Sequence, residues 1–142
     1  MREIEFRAWN GKEMVYDFAV INGKVFVEEN PKTSNCINID IDGKKGSFYD
    51  DWATYNHKAW ELMQYTGLKD KNGVKIFEGD IISCTLSFEG RTLPHIGVVI
   101  YSDNIACFCT KNDAGDTPML KHCTNTRLIV GNIYENPELM EA

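Results

Sequence analysis

The segment Asn38–Gly43 has the residue types and spacing of the first half of a calcium-binding loop. Oxygen-bearing side chains stand at its first, third and fifth positions, Asn38, Asp40 and Asp42, and glycine stands at the sixth, as in an EF-hand. The twelfth position, where that motif needs a bidentate carboxylate, is Tyr49. Apolar and polar residues alternate through the segment, which indicates a strand rather than a helix-flanked loop. We therefore predict a solvated strand face and no calcium site.

The cysteines offer a second possible metal site. Cys107 and Cys109 place two thiols on one face of a predicted strand. His122 and Cys123 follow along the chain, and His95 is a further potential ligand. Structural zinc sites usually draw on C-x₂-C pairs, whose turn aims both sulfurs at one ion. That spacing does not occur, so we predict no metal site and buried thiols that pack as small apolar side chains.

Signatures of nucleophilic catalysis and of phosphate binding are also missing. The histidines, His57, His95 and His122, stand in no nucleophile motif. Gly67 and Gly73 enclose five residues, whereas the phosphate-binding loop has four, followed by Lys and Ser or Thr. A predicted strand follows here in place of the helix whose N-terminus binds phosphate. We predict no catalytic residues and no cofactor.

Composition narrows the classes of partner. The 142 residues carry 15 basic and 21 acidic side chains, a net charge of −6, and the only adjacent basic pair is Lys44-Lys45. Proteins that bind duplex nucleic acid through its phosphates normally gather Lys and Arg on one face, so the charge does not support nucleic acid as a partner. The N-terminus lacks the apolar core of a signal peptide, and no stretch is long and apolar enough for a membrane span. We expect a cytoplasmic protein whose five cysteines are free thiols.

The first half of the chain consists of predicted hairpins. Apolar and polar residues alternate before Asn10-Gly11 and before Asp42-Gly43, and segments rich in β-branched and aromatic residues flank Asn22-Gly23. Such dipeptides favour tight turns between antiparallel strands. One helix is predicted over residues 48–57, because apolar residues recur there at steps of three and four, and Ser47 with Asp50 has the form of a capping box.

The second half is predicted to be almost entirely strands. Short apolar segments end at turn residues about every ten positions, which is typical of a sandwich or a small barrel. We predict a mainly β protein with one or two short helices. Residues 1–60 form N-terminal hairpins or a meander, and residues 61–142 form a small β-barrel or roll, the two parts making one compact unit.

Four blocks of the sequence resemble the YopX family, which is found in bacteriophages and prophages of Gram-positive bacteria. The blocks are EFRAW at 5–9, QYTGLKDKNG at 64–73, IFEGDII at 76–82 and VGNIYENPEL at 130–139. The resemblance implies a mostly β fold whose C-terminal part is an SH3-like barrel or roll. It implies a phage or prophage origin and no particular chemistry.

Residues 62–82 combine many turn signals with few reactive side chains. Glycine supplies the positive φ that chain reversals need, and aspartate accepts hydrogen bonds from turn amides. We assign a structural role to Gly67, Asp70, Gly73, Gly79 and Asp80. The polar residues beside these turns form a possible recognition patch, which consists of Gln64, Tyr65, Thr66 and Glu78.

Two classes of function follow. The first is a non-enzymatic binding or assembly module that contacts a host or phage protein or a second copy of itself, since aromatic residues such as Trp9, Tyr16, Trp52 and Trp60 are favoured interface anchors where they are exposed. The alternative is a metal-dependent enzyme acting on nucleic acid, with Mg²⁺ held by carboxylates such as Asp40, Asp42 and Asp80. We favour the binding module, because nothing in the sequence brings those carboxylates together.

Overall fold

The computed structural model describes residues 2–16, 18–21, 24–28, 36–41, 44–50, 60–113, 115, 118, 120 and 126–141. These residues are mainly β, which confirms the predicted fold class. The chain divides into two compact units, one of Arg7–Leu62 and one of Met1–Phe6 with Met63–Ala142. The strands are β1 (Phe6–Trp9), β2 (Met14–Val15), β3 (Phe18–Ile21), β4 (Lys24–Glu28), β5 (Cys36–Ile41), β6 (Lys44–Asp50), β7 (Glu61–Lys69), β8 (Lys75–Phe77), β9 (Asp80–Phe88), β10 (Arg91–Ser102), β11 (Cys107–Lys111) and β12 (Leu128–Asn132).

Antiparallel hairpins build the unit Arg7–Leu62, as predicted. β1 pairs with β2, and the side chain of Asn10 accepts hydrogen bonds from the amides of Lys12 and Glu13 in the loop between them. β3, β4, β6 and β5 form a four-stranded sheet in that order. Ile21 pairs with Lys24 and Ile41 with Lys44, so two residues separate the strands of each hairpin. Those turn residues, at 22–23 and 42–43, lie outside the described residues.

The predicted helix over 48–57 is wrong at its start. Residues 48–50 belong to β6, where Phe48 and Tyr49 pair with residues of both β5 and β4. Aromatic side chains suit a pleated sheet, and two neighbouring strands satisfy the backbone groups that a helix would have satisfied internally. Residues 51–57 lie outside the described residues.

A four-stranded antiparallel sheet, in the order β11-β10-β9-β12, dominates the other unit. β7 and β8 form a separate hairpin that precedes it in the chain, with Tyr65 opposite Phe77 and Lys69 opposite Lys75. One face of β10 packs on the hydrophobic core, because Val99 is buried there together with Ile76, Ile82, Cys84 and Leu120. A 3₁₀ helix over Pro137–Met140 follows β12. The described residues contain no helix with the length and apolar character needed to span a bilayer.

The N-terminal segment is fastened beside β7 and β8 within the same unit. The amide of Tyr65 donates to the carbonyl oxygen of Glu5 at 2.8 Å. The Lys75 ammonium contacts Glu3 Oε1 at 2.6 Å and Glu5 Oε2 at 2.5 Å, and it lies 5.3 Å from the centre of the Tyr65 ring. Hydrogen bonds from Lys75 are the main cause of the lowered pKa of Glu3. The three charged side chains are partly exposed, so the cluster positions the N-terminus more than it stabilises the fold.

Candidate functional site

The predicted recognition patch lies on the β7–β8 hairpin. Most of the polar groups of the patch form hydrogen bonds within this hairpin. Glu78 accepts a hydrogen bond from the amide of Gln64 through Oε1 at 2.9 Å, and its own amide donates to the Gln64 carbonyl at 3.0 Å. The hydroxyl of Thr66 donates to the carbonyl of Ile76 at 2.8 Å. Tyr65 is buried and its ring centre lies 5.6 Å from that of Phe77. The four residues are therefore close together, and recognition by them stays a prediction.

Asp70 organises the turn between β7 and β8. Its Oδ1 accepts from the amides of Asn72 and Val74 at 2.9 and 3.0 Å, and its Oδ2 accepts from the amide of Ile129 at 3.3 Å. Gly73 completes the turn with a φ of 82°. Burial alone would raise the pKa of the Asp70 carboxyl, but hydrogen bonds from the three amides outweigh it and the pKa is lowered. The carboxylate thus fixes the turn and β12 together.

The second turn, Glu78–Asp80, connects three distant parts of the chain. Asp80 is buried and accepts from the amide of Phe77 through Oδ2 at 2.8 Å. Gly79 has a φ of 85°, a conformation that favours glycine. Its amide donates to the carbonyl of Val99 at 2.9 Å, and its carbonyl accepts from the amide of Ile133 at 3.0 Å. This turn therefore sets the position of β10 and of the segment after β12.

The segment after β12 is folded by its asparagines. Asn132 is buried, and its Oδ1 accepts from the amides of Tyr134 and Glu135 at 3.1 and 2.9 Å. Asn136 donates its amide to the carbonyl of Asn132 at 2.8 Å, and its Oδ1 accepts from the Asn132 amide at 3.3 Å. Pro137 then begins the 3₁₀ helix, where a missing N–H costs nothing.

Gly131 allows this helix to pack closely on β12. A Cβ atom at position 131 would lie 2.6 Å from Oδ1 of Asn136 and 2.9 Å from Cδ1 of Leu139. Both separations are shorter than van der Waals contact, so a larger residue displaces the helix or its side chains. Glycine is therefore required at position 131 because it has no side chain, and not because of an unusual φ.

A groove lies between this helix and the sheet, and we name it the C-terminal groove. Val98 and Ile100 of β10 line it from the sheet face opposite to that of buried Val99, since side chains alternate along a strand. It has a volume of about 290 Å³. Its lining consists of Val98, Ile100, Lys111, Asn112, Asp113, Ile133, Pro137 and Met140.

The C-terminal groove is apolar along its length and charged at one end. Among the described residues that line it, Lys111 and Asp113 are the only ones with ionisable side chains. Ile96 is 40% exposed and lies on the same face of β10 as Val98, two residues away. Leu139, on the 3₁₀ helix, is 36% exposed. Such a surface can bind an apolar group and orient it by one or two polar contacts.

The thiols lie on one face of β11, as the sequence predicted. Cys107 Sγ and Cys109 Sγ are 3.9 Å apart, and both are free thiols. Cys109 pairs with Ile100 across the β10–β11 ladder and is fully buried. Burial, together with the hydrogen bond and charge of neighbouring Cys107, raises the pKa of the Cys109 thiol to about 11.

The remaining candidate ligands are not brought together within the described part of the chain, where no group of three His, Cys, Asp or Glu side chains is close enough to hold a metal ion. His95 is buried, and its Nε2 lies 2.8 Å from Oγ1 of Thr110. Asp40 is in β5, and the structure describes its backbone but not its side chain. Asp42, His57, His122 and Cys123 also lie outside the described residues.

The proposed aromatic anchors differ in exposure. Tyr16 is 55% exposed, whereas Trp9 and Trp60 are half-buried. Trp52 lies outside the described residues. Of these residues, Tyr16 presents the most usable contact surface.

Sequence reasoning missed the C-terminal groove. Its walls come from β10, from the end of β11 and from the last residues of the chain, and no local pattern shows that these meet. The available signal was the block GNIYENPEL, in which two asparagines and a proline predict a tight capped turn at 132–137.

Known proteins match the chain in two comparisons. The family model described as "YopX protein" matches residues 5–141. The crystal structure of protein EF1440 from Enterococcus faecalis is similar over 99% of this chain and 100% of that chain, with 26% sequence identity and a TM-score of 0.62. No curated protein matches.

Proposed function

The chain belongs to the YopX family, and we propose that it is a non-enzymatic binding module whose C-terminal groove receives an apolar side chain of a protein partner. The groove is the observation that carries this proposal. It is built by the turn at Gly79 and by the block that ends at Leu139, two of the sequence blocks that first indicated the family.

The apolar surface around the groove favours a peptide anchor over a small-molecule substrate. The groove itself, with a volume of about 290 Å³, equals roughly ten water molecules. Exposed Ile96 and Leu139 extend the apolar surface beyond it. Buried apolar anchors beside polar residues are typical of protein interfaces, and Lys111, Asn112 and Asp113 supply polar groups at one end of the groove.

Contact through side chains is favoured over strand addition at β10. In the described part of the chain, β11 pairs with β10 only at Val98–Ser102. The amide and carbonyl groups of Thr85 hydrogen-bond to the hydroxyl of Thr126, so they point away from β10. Pro94 lies opposite Thr85 in the β9–β10 ladder. The backbone groups of Pro94 therefore point away from β9, toward the other edge of β10. Proline has no N–H, and it therefore blunts the edge against pairing with another strand.

We further propose that the protein self-associates through the N-terminal hairpins. Within the described residues, β3 and β5 are the outer strands of their sheet, and Tyr16 is an exposed aromatic residue nearby in the sequence. Symmetric pairing of such edges is a common way to cover them. A phage or prophage origin, and a partner from the phage or its host in the bacterial cytoplasm, complete the proposal.

Capture of partners by matched variants tests the proposed function. Wild type, Met140→Glu in the groove and Val74→Glu at a distant site where the side chain is 53% exposed are immobilised and exposed to lysate from phage-induced Gram-positive cells. We expect a protein that wild type and Val74→Glu retain and Met140→Glu loses by at least about tenfold, because a buried unpaired charge opposes binding. Capture of no protein, or equal capture by all three, overturns the proposal.

A further inference from the structure

Two thiols lie side by side on β11, and the binding function proposed above does not use them. Cys107 and Cys109 are separated by one residue, and a strand places such residues on the same face. Their sulfur atoms are 3.9 Å apart. Cys107 is half-buried and Cys109 is fully buried, so Cys107 is the more exposed residue of the pair.

The separation of the sulfurs fits chelation better than a disulfide. An S–S bond is about 2.0 Å long, so oxidation would have to draw the sulfurs together by nearly half their distance. Two thiolates bound to one pyramidal atom, with bonds of about 2.3 Å at roughly 100°, are about 3.5 Å apart, so chelation draws the sulfurs together far less than a disulfide would. The pair is therefore spaced to hold one soft atom between its sulfurs.

The pair on β11 supplies two sulfur ligands. A guest that needs no more than these binds through two sulfurs and carries its other substituent itself. Trivalent arsenic with one organic group meets this condition, and it is soft enough to prefer sulfur.

We propose that Cys107 and Cys109 form a dithiol site that chelates a monosubstituted trivalent arsenical. In the reaction an organoarsenic(III) oxide condenses with both thiols. Two S–H bonds and the arsenic–oxygen bonds break, two arsenic–sulfur bonds form, and one water molecule leaves with the oxygen and both protons. Arsenic stays trivalent and sulfur is not oxidised, so no further reagent is needed.

The exposure of the two cysteines sets the order of the steps. Half-buried Cys107 reacts first, and the bound arsenic is then within reach of Cys109 Sγ. Burial raises the pKa of Cys109 to about 11, so this thiol is protonated at neutral pH. That state is compatible with the reaction, because the thiol proton leaves in the water molecule.

Phenylarsine oxide is the probe for this site. The folded full-length protein, incubated with a small excess, is expected to gain one phenylarsenic group by native mass spectrometry, and its titratable thiols fall from five to three. Cys107→Ser is expected to lower occupancy at least about tenfold. Cys84→Ala is the matched control, because Cys84 belongs to the hydrophobic core, and it is expected to bind as wild type does.

Competition distinguishes chelation from binding at a single thiol. A monothiol wash is expected to leave the adduct in place, whereas ethanedithiol removes it. Circular dichroism checks that each variant is folded, and Cys107→Ala replaces Cys107→Ser if the serine variant is not. The proposal is overturned if folded wild type gains no arsenic, if the Cys107 variant binds as tightly as wild type, or if a monothiol strips the adduct.

Discussion

The amide of Ile133 donates a hydrogen bond to the carbonyl of Gly79 at 3.0 Å. This bond joins the turn before β9 to the segment after β12, and it places the Ile133 side chain in the lining of the C-terminal groove. The same glycine donates its amide to Val99, which lies between the groove residues Val98 and Ile100. The groove therefore depends on a turn that is far from it in the sequence.

Gly131→Ala is expected to disturb the groove from its helical wall. The added methyl group meets Asn136 and Leu139 at less than 3 Å, and overpacking of this kind costs roughly 1 to 3 kcal/mol. The free energy of unfolding in urea measures this loss, and partner capture should fall with it. Gly73→Ala is the control: it has open space but a φ of 82°, so it should lose roughly 1 to 2 kcal/mol and keep its partner. A Gly131→Ala protein with wild-type stability and capture would contradict the packing described for this wall.

Asp70→Ala is expected to lower the free energy of unfolding by about 2 to 3 kcal/mol at neutral pH, because three amides lose a charged acceptor. Asp103, which is exposed in the turn after β10, provides the control, and its replacement by alanine should change stability by less than about 0.5 kcal/mol. Urea denaturation followed by fluorescence compares the two. Equal effects of the two substitutions would refute the role assigned to the Asp70 carboxylate.

The contribution of Asp70 should also depend on pH. Its pKa is lowered from the ordinary value of 3.8, so the folded state favours the carboxylate. The stabilisation is complete above the ordinary pKa and is lost as the pH falls through the lower pKa of the folded state. The difference between wild type and Asp70→Ala should therefore be constant from about pH 5 to 7 and shrink below about pH 4. A difference that grows on acidification would contradict the sign of this shift.

Self-association is expected in solution. Light scattering coupled to size exclusion should give a mass that is a multiple of 16.2 kDa at micromolar concentration and that stays constant on dilution. Tyr16→Glu should shift this mass toward that of one chain, because a charge at a contact opposes the interface. A wild-type mass near 16.2 kDa, that of a single chain, would contradict self-association.

Local turn chemistry made much of the fold predictable. The hairpins around residues 10–13 and 70–73, and the shared face of Cys107 and Cys109, follow from turn residues and strand alternation, which act over a few positions. The helix start at 48 was wrong because apolar steps of three and four also arise by chance among aromatic residues. Residues 48–50 form a strand because they pair with neighbouring strands, and the residues around position 48 do not reveal that pairing.

The groove could not be predicted for a related reason. Its geometry depends on the contact of Gly131 with Leu139 and on the bond between Gly79 and Ile133, and the second of these spans much of the chain. The sequence also gave no means of knowing that Tyr65 is buried or that Glu78 bonds to Gln64, since both facts depend on how β7 meets β8. Residue type alone made these side chains candidates for recognition.

Site-specific photocrosslinking tests the binding function most directly. Benzoylphenylalanine replaces Met140 in the groove in one variant and Val74, at the exposed distant site, in another, and both are irradiated in lysate from phage-induced cells. We expect a discrete covalent adduct with one protein from position 140 and none from position 74. No adduct from position 140, or the same adducts from both positions, would contradict a partner seated in the C-terminal groove.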